Sequence, residues 1–243
     1  MKPFLFLGTR AEDAPADSEY AAVLKYTELP EERLVRRRLE SEPMGEVHPA
    51  DWAGIILGGG PFNVSDPIEK KSPVQQRVEA ELSRLCAEVI EADTWFLGAC
   101  YGVGTLGVQR GGVVDRTYGE PVSATRITLT PEGVADPLFG VLPQSFDSFL
   151  GHKEAIKQLP RGAVVLASSQ RCPVQGFRIG TRVYATQFHP ELDVEGLCTR
   201  VDAYRHYGYF DPAEAEGLKQ MAHAATVTEP FAMLRRFVEL ADG

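Results

Sequence analysis

The sequence predicts an α/β fold with a mostly parallel sheet that is covered by helices on both faces. Short, continuous apolar runs alternate with helical patterns along the chain. Such runs are typical of strands that are buried on both faces, as in parallel sheets. Five of them are expected to be strands, at residues 4–7, 53–57, 95–97, 162–167 and 182–188.

The clearest predicted helix lies between the second and third of these strands. Ser72 is a suitable N-cap, and Pro73 follows at the first helical position, where its missing N–H leaves no hydrogen bond unmade. Apolar residues then recur at spacings of three and four, which predicts one buried face. They are Val74, Val78, Leu82, Leu85 and Val89. Strand, helix and strand in this order predict a right-handed βαβ unit.

The other segments predict additions to this sheet. Alternating residues at 122–133 indicate a β-hairpin or an edge strand, and the charge-dense residues 31–40 indicate a solvated face or a short strand. From residue 195 onward the pattern is mostly helical, with an apolar stripe at Met233, Leu234, Phe237 and Leu240. Without a linker or repeat, residues 1–243 are expected to form a single domain, with a core of about 1–192 and a helical extension of about 193–243.

Composition excludes several classes of protein. A net charge of −9 argues against sequence-independent binding of nucleic acid, which needs a basic surface. The four cysteines are widely spaced, so they indicate cytosolic thiols rather than disulfides or a zinc site. The first apolar run is too short for a signal peptide, and no run approaches the roughly 20 residues of a membrane span. We therefore expect a soluble, cytoplasmic protein that contacts no membrane.

Residues 95–104, WFLGACYGVG, carry the first candidate for chemistry. An apolar strand runs to Gly98, Cys100 follows, and Gly102 precedes a helical stretch. Flanking glycines permit the sharp strand-to-helix turn of a nucleophile elbow, which exposes the central side chain above the sheet. The start of a helix also lowers the pKa of a thiol and supplies N–H groups for an oxyanion. A buried cysteine at an ordinary glycine-rich turn is the alternative.

Residues 186–191, TQFHPE, place His189 and Glu191 at the end of another predicted strand. A general base needs a rigidly held histidine, and a nearby carboxylate can bind the other imidazole nitrogen and fix its tautomer. Pro190 ends the strand, so the pair is expected at the carboxyl edge of the sheet, where ligands bind in open α/β sheets. A lone strand-end histidine is more often structural, but the His-Pro-Glu sequence together with an elbow favours catalysis.

A third segment, residues 55–66, has three successive glycines after a strand. Their backbone N–H groups can approach a substrate closely, as an oxyanion donor or a phosphate cradle would. The sequence is not a P-loop, because no Gly-Lys-Ser/Thr follows, and it lacks G-x-G-x-x-G. Taken alone, the segment is equally consistent with a plain tight turn.

Together the Gly-Gly-Pro loop, the G-x-C-x-G elbow and the F-H-P-E sequence resemble the class I glutamine amidotransferases, the Cys-His-Glu family. The best match is the branch that includes the amidotransferase half of GMP synthetase. The resemblance covers roughly residues 50–192, with softer matches at 118–120, 136–143, 150–156, 167–169 and 176–179. It implies a flavodoxin-like fold that releases ammonia from glutamine through a thioester.

The resemblance also implies roles for individual residues. Cys100 would be the nucleophile, His189 the base and later the acid, and Glu191 the residue that orients the imidazole. The oxyanion donors would be backbone N–H groups of Gly60 and Tyr101, with Gly59 in the same loop. This chemistry requires no metal and no organic cofactor, so none is expected.

Two positions depart from the pattern of the family. Most members have glutamine at the fourth position after the nucleophile, where it helps to hold the substrate, and here that position is Gly104. The Ser-His-Gly-Asp stretch of the family reads Gly-His-Lys-Glu in this chain. His152 in that stretch could shape the substrate pocket or could be a satisfied loop histidine.

The sequence therefore predicts an amidohydrolase of the glutamine amidotransferase type, which converts glutamine to glutamate and ammonia. A hydrolase of γ-glutamyl peptides or conjugates with the same residues is the competing enzyme, and Gly104 slightly favours it. A non-catalytic regulatory homologue is the third alternative. The phosphate-binding loop of an ATP-pyrophosphatase domain is missing from these residues, so released ammonia would need a separate synthetase partner to accept it.

Overall fold

A computed structural model describes the whole chain, residues 1–243, and its centre is a nine-stranded sheet with a two-stranded sheet beside it. In chain order the strands are β1 (Phe4–Gly8), β2 (Leu34–Arg38), β3 (Ile55–Leu57), β4 (Phe96–Ala99), β5 (Val113–Asp115), β6 (Glu120–Leu129), β7 (Ser145–His152), β8 (Ala155–Gln158), β9 (Ala163–Ser168), β10 (Gly176–Ile179) and β11 (Val183–Thr186). All five strands predicted from apolar runs are present, and their ends differ from the prediction by at most two residues.

The large sheet has a parallel half and an antiparallel half. Its order is β2-β1-β3-β4-β11-β10-β9-β6-β7. The strands from β2 to β11 pair in parallel, and those from β11 to β7 pair antiparallel. The predicted hairpin is β6 with β7 at one edge, and the charge-dense segment forms β2 at the other. The α/β class is confirmed.

Seven helices surround the sheets. They are α1 (Asp13–Thr27), α2 (Pro73–Ala92), α3 (Tyr101–Gly107), α4 (Pro131–Ala135), α5 (Val194–Ala203), α6 (Ala215–Ala224) and α7 (Phe231–Asp242). Helices α2 and α3 pack on one face of the large sheet, and α1 and α7 pack on the other. Helices α5 and α6 pack against each other, and α5 also contacts α1. None of the seven has both the length and the apolar character that a membrane-spanning helix needs.

Helix α2 begins where its sequence predicts. The Ser72 hydroxyl accepts a hydrogen bond from the Gln75 N–H at 3.1 Å, so one of the otherwise unpaired amides of the first turn is satisfied. Four of the five predicted apolar positions are fully buried, namely Val78, Leu82, Leu85 and Val89. The prediction for Val74 is wrong: it is 38% exposed, because it lies in the first turn, where the helix has not yet reached the core.

The parallel half of the sheet brings distant segments to one edge. Because β1, β3, β4 and β11 run in the same direction, their carboxyl ends lie side by side. Arg10 follows the first of these strands, Gly59 and Gly60 the second, Cys100 the third and His189 the fourth. This edge is where ligands bind in open α/β sheets.

Candidate active site

Cys100 lies at a strained turn between β4 and α3. Its backbone has φ 50° and ψ −85°, a region that residues with a side chain rarely adopt. Two hydrogen bonds hold the turn: the Cys100 N–H donates to the Thr186 carbonyl oxygen at 2.7 Å, and its own carbonyl oxygen accepts from the Val103 N–H at 2.9 Å. The geometry is that of a nucleophile elbow.

His189 is held by Glu191 at the end of β11. The imidazole Nδ1 lies 2.8 Å from Glu191 Oε1 and 3.1 Å from Arg200 Nη1, and all three side chains are buried. An ionised carboxylate beside Nδ1 favours the tautomer with the proton on that nitrogen, which leaves Nε2 free to accept a proton. The two residues are therefore arranged as a base and its orienting carboxylate.

The fold brings Cys100 and His189 to one cavity from positions 89 residues apart. No direct hydrogen bond joins the thiol to the imidazole, and Gln187 Nε2 lies 3.9 Å from the Cys100 sulfur. Hydrogen bonds between catalytic groups are often long in unliganded enzymes and shorten when the substrate binds. The arrangement therefore permits proton transfer once a substrate fills the cavity.

A buried ionic network that the sequence did not reveal surrounds the histidine. Arg200 Nη2, on α5, lies 2.8 Å from Glu191 Oε1 and 3.1 Å from Glu19 Oε1. Glu19, on α1, also binds Arg10 at 3.1 Å and accepts a hydrogen bond from the Gly59 N–H at 3.2 Å. Two arginines and two glutamates offset each other's charge, as buried ionic groups require. The network joins α1 and α5 to the glycine loop and the imidazole.

Burial and neighbouring charges set the protonation states of Cys100, His189 and Glu191. It raises the pKa of the Cys100 thiol to about 12, although the charges of Arg10 and Arg200 act in the opposite direction. Burial also lowers the pKa of His189, against the effect of Glu191 and with that of Arg200. The pKa of Glu191 lies below its ordinary value, because its interactions with His189 and Arg200 outweigh its burial. At pH 7 a neutral thiol and a neutral imidazole therefore lie beside an ionised carboxylate.

Two backbone N–H groups are available to bind an oxyanion. Gly60 and Tyr101 line a cavity together; the Gly60 N–H makes no hydrogen bond within the protein, and the Tyr101 N–H, at the first position of α3, has no acceptor within its helix. A Cβ atom on Gly60 would overlap the Thr9 hydroxyl, and one on Gly59 would lie 2.5 Å from His189 Cε1. Only glycines allow this loop to approach the histidine so closely, and the free N–H groups are the kind of donor that stabilises a negatively charged oxygen.

The space beside Gly104 is filled by Glu154. A Cβ atom at position 104 would lie 2.7 Å from Glu154 Oε1 and 3.0 Å from Val64 Cγ2. The Glu154 carboxylate accepts hydrogen bonds from the N–H groups of Val64 at 2.9 Å and Ser65 at 2.8 Å. Burial raises its pKa, although these hydrogen bonds act in the opposite direction. The Glu154 carboxyl group therefore lies beside the position at which most members of the family that the sequence resembles have a glutamine side chain.

His152 is buried, and both of its ring nitrogens have partners. Nδ1 lies 2.9 Å from the Glu154 carbonyl oxygen and Nε2 lies 3.0 Å from Glu120 Oε2. Glu120 also accepts hydrogen bonds from Gln175 and from Ser169. The imidazole is thus fixed in a closed network and holds in place the segment that carries Glu154, while it also lines the cavity beside Cys100.

Two cavities meet at Cys100. The polar cavity, of about 250 Å³ including its open mouth, is lined by residues that include Asn63, Tyr101, His152, Glu154 and Gln187. The apolar cavity, of about 520 Å³ on the same basis, is lined by His189 next to Cys100. Much of the rest of its wall comes from α5 and the segment after it, including Leu197, Arg200, Val201, Tyr204 and Phe210. The helical extension thus forms part of the wall of this cavity.

Comparison with protein families and curated proteins identifies relatives of the chain. A family model described as glutamine amidotransferase class-I matches residues 26–196. The glutamine-hydrolyzing GMP synthase of Thermosipho africanus is 32% identical over 184 residues, which cover 69% of this chain and 31% of the relative. One subunit of the glutamine-hydrolyzing GMP synthase of Methanocaldococcus jannaschii is 30% identical over 141 residues, 57% of this chain and 64% of the relative. The chain spans about a third of the length of the first of these relatives.

Solved structures share the fold over nearly the whole chain. A glutamine amidotransferase from Thermotoga maritima has a TM-score of 0.74 at 18% identity and covers 99% of this chain and 98% of its own. A glutamine amidotransferase from Methylobacillus flagellatus has a TM-score of 0.71 at 18% identity and covers 99% and 92%. At these identities the likeness establishes the fold alone, and it confirms the flavodoxin-like class.

Proposed function

Because the chain belongs to the class I glutamine amidotransferase family, we propose that it hydrolyses the γ-amide of glutamine to glutamate and ammonia. One observation carries this proposal: the fold brings Cys100, His189 and Glu191 together around a cavity, with two backbone N–H groups close by. The names of the relatives, which describe glutamine-hydrolyzing enzymes, support the same reaction.

The first half of the reaction forms an acyl-enzyme. His189 Nε2 accepts the thiol proton, and the Cys100 sulfur adds to the γ-carbonyl carbon. The N–H groups of Gly60 and Tyr101 stabilise the oxyanion that forms. The imidazolium then gives its proton to the leaving nitrogen, the C–N bond breaks, and ammonia leaves a γ-glutamyl thioester. Because Glu191 holds Nδ1, His189 both accepts and returns the proton through Nε2.

The second half returns the enzyme to its starting state. Water adds to the thioester carbonyl carbon while His189 accepts its proton, and the same two N–H groups stabilise the second oxyanion. The C–S bond then breaks, the sulfur regains a proton from the imidazolium, and glutamate leaves. No metal or organic cofactor takes part in either half of this mechanism.

The γ-glutamyl group is proposed to bind in the polar cavity. Both oxyanion donors line this cavity, so the carbonyl group must enter it. The carboxyl group of Glu154 lies in the same cavity, and an acidic group favours a cation such as the α-ammonium group of the substrate. We therefore propose that Glu154 contacts the substrate in place of the glutamine side chain that most family members have at the position of Gly104.

A glutaminase of this kind needs an acceptor for its ammonia if it serves a synthesis. The relative from Methanocaldococcus jannaschii is named for one subunit of a GMP synthase, and the chain matches only about a third of the length of the Thermosipho africanus enzyme. When glutamine is the substrate, a separate synthetase subunit is therefore the proposed recipient of the ammonia.

The proposal is tested with the purified full chain and the glutamine analogue 6-diazo-5-oxo-L-norleucine. Wild-type protein is expected to release glutamate from glutamine and to be alkylated at Cys100, as located by peptide mass. Cys100→Ala is expected to lower the rate by at least about 10⁴-fold. Cys198→Ala is the matched control, because Cys198 is a partly exposed thiol on α5 that does not line either cavity. An unalkylated Cys100 together with no glutamate release would contradict the proposal.

A further inference from the structure

The apolar cavity is larger than the release of ammonia requires. About 60 Å³ of it can be reached by the centre of a water-sized molecule. Its aliphatic and aromatic wall includes Val122, Leu150, Leu192, Leu197, Val201 and Phe210. One water or ammonia molecule needs only about 10–15 Å³ of such space, and a polar molecule gains nothing from an apolar wall. Both the size and the chemistry of the cavity indicate a larger, apolar occupant.

The cavity lies on the side from which the leaving nitrogen departs. Tyr101 and Glu154 line the polar cavity, where the γ-glutamyl group is proposed to bind. His189, which gives the proton to the leaving nitrogen, lines the apolar cavity and not the polar one. The leaving nitrogen must come within hydrogen-bond reach of the imidazole. Any substituent on that nitrogen therefore extends past His189 into the apolar cavity.

We propose that this cavity binds the N-substituent of the substrate, and that the preferred substrates are γ-glutamyl conjugates of apolar amines or apolar amino acids. The inference rests on the proposed Cys100 amidohydrolase function and narrows its substrate class. Branched aliphatic and phenyl substituents match the wall, whose side chains are leucine, valine and phenylalanine.

Arg10 would distinguish γ-glutamyl amino acids from γ-glutamyl amines. This arginine is 4% exposed and lines the cavity, where its Nη1 donates to the Tyr204 hydroxyl at 3.2 Å and its Nη2 binds Glu19 at 3.1 Å. Its Nε has no hydrogen-bond partner. A γ-glutamyl amino acid carries a carboxylate that can bind this guanidinium, whereas a γ-glutamyl amine uses the apolar wall alone.

The reaction is the proposed hydrolysis with an amine in place of ammonia. The Cys100 sulfur bonds to the γ-carbonyl carbon, the C–N bond breaks, and the leaving nitrogen takes the proton that His189 received from the thiol. Water then cleaves the C–S bond, and its proton returns to the sulfur through the imidazole. One γ-glutamyl amide and one water give one glutamate and one amine, with no oxidant or reductant.

The test compares kcat/KM for glutamate release from L-glutamine, γ-glutamylglycine, γ-glutamyl-L-leucine and the γ-glutamyl amide of isopentylamine. Burial of one methylene group is worth roughly fourfold in kcat/KM. With only part of the substituent buried, we expect each branched conjugate to exceed glutamine by at least about 30-fold. A faster leucine conjugate indicates that Arg10 binds its carboxylate, and a faster isopentylamide indicates an amine conjugate.

Two variants at partly buried wall positions locate the effect. Val122→Asp and Phe210→Asp each place a charge in the wall of the cavity. Each is expected to lower the ratio of kcat/KM for the isopentylamide to that for glutamine by at least about tenfold, because a carboxylate opposes burial of an apolar group. Val141→Asp is the control: Val141 is 45% exposed and lies outside the cavity, so the ratio should not change.

The outcomes distinguish this inference from the function on which it rests. Cleavage of glutamine without faster cleavage of the branched conjugates overturns the inference and leaves the proposed function intact. Unchanged ratios in both wall variants also overturn it. If no substrate is cleaved but 6-diazo-5-oxo-L-norleucine alkylates Cys100, the substrate class is wrong. If Cys100 is not alkylated either, the proposed function itself fails.

Discussion

The Glu154 carboxyl group occupies the space that a side chain at position 104 would need, and this can be tested by measuring the stability of the protein. A Cβ atom at position 104 would lie 2.7 Å from Glu154 Oε1 and 3.0 Å from Val64 Cγ2. The carboxyl group cannot move away freely, because it is bonded to the N–H groups of Val64 and Ser65. Overpacking of this kind costs about 1–3 kcal/mol, whereas alanine in a helix is about 1 kcal/mol better than glycine. Gly104→Ala should therefore lower the free energy of unfolding by about 0–2 kcal/mol.

A double-mutant cycle isolates the clash from the helix preference. In a Glu154→Ala background the new Cβ has lost its closest neighbour, so Gly104→Ala should be stabilising by up to about 1 kcal/mol. The coupling energy between the two positions is then about 1–3 kcal/mol. Urea-induced unfolding at pH 7, followed by the fluorescence of the two tryptophans, measures all four free energies.

A matched glycine in another helix serves as the control. Gly217 lies in α6, and a Cβ atom there would meet nothing within 4 Å. Gly217→Ala should raise the free energy of unfolding by up to about 1 kcal/mol in both backgrounds. The reasoning would be refuted if Gly104→Ala were as favourable as Gly217→Ala in the wild-type background, or if Glu154→Ala left its effect unchanged.

Three further predictions concern the helix cap, the ionic network and the response to pH. Ser72→Ala should lower the free energy of unfolding by about 1 kcal/mol, measured in urea, because it removes the cap of α2. Arg200→Met should lower it by about 3–5 kcal/mol, because two buried carboxylates lose their shared cation. The lowered pKa of His189 means that the unfolded chain binds this proton more readily than the folded one. The stability that this histidine contributes is present above the unfolded pKa of about 6.5 and is lost as pH falls through the folded pKa. Urea unfolding at pH 7, 6 and 5 should therefore show a smaller loss of stability for His189→Gln than for the wild type.

The last two of these predictions have an internal comparison. Arg235→Met removes an exposed ion pair with Glu28 and should change stability by at most about 1 kcal/mol; an equal effect at Arg200 would contradict the buried network. For the pH prediction the wild type is the comparison. If His189→Gln lost as much stability between pH 7 and pH 5 as the wild type does, His189 would not be the group that titrates.

The parts of the fold and site that could be predicted from sequence are those with local signals. Ser72 and Pro73 predict the start of α2, because capping depends on residues only three positions apart. The glycines around Cys100 indicate the strained turn, because a Cβ atom on Gly98 would lie only 2.8 Å from the Gly102 Cα across it. The proximity of Cys100 and His189 could be expected only through the resemblance, because it depends on two parallel strands whose pairing no local pattern reveals.

The ionic network escaped prediction for the same reason. Glu19 and Arg200 are 181 positions apart, and each lies in a helix whose other charged residues face solvent or surface partners. Arg10 offered a weak signal, because a charged residue directly after a buried strand lies at the carboxyl edge of the sheet. No sequence signal indicated that Glu154 fills the space beside Gly104, since 50 positions separate the two residues.

Helix α5 links the geometry of the proposed catalytic groups to the proposed choice of substrate. Leu197 and Val201 are four positions apart, and Arg200 lies between them, so all three share one side of the helix. The two apolar side chains line the cavity proposed for the leaving group, while the arginine binds the Glu191 carboxylate that contacts His189. A shift of α5 would therefore move the cavity wall and the arginine together. Val122 and Phe210 line the cavity from outside this helix, so substitutions there should change the preferred leaving group without moving the arginine.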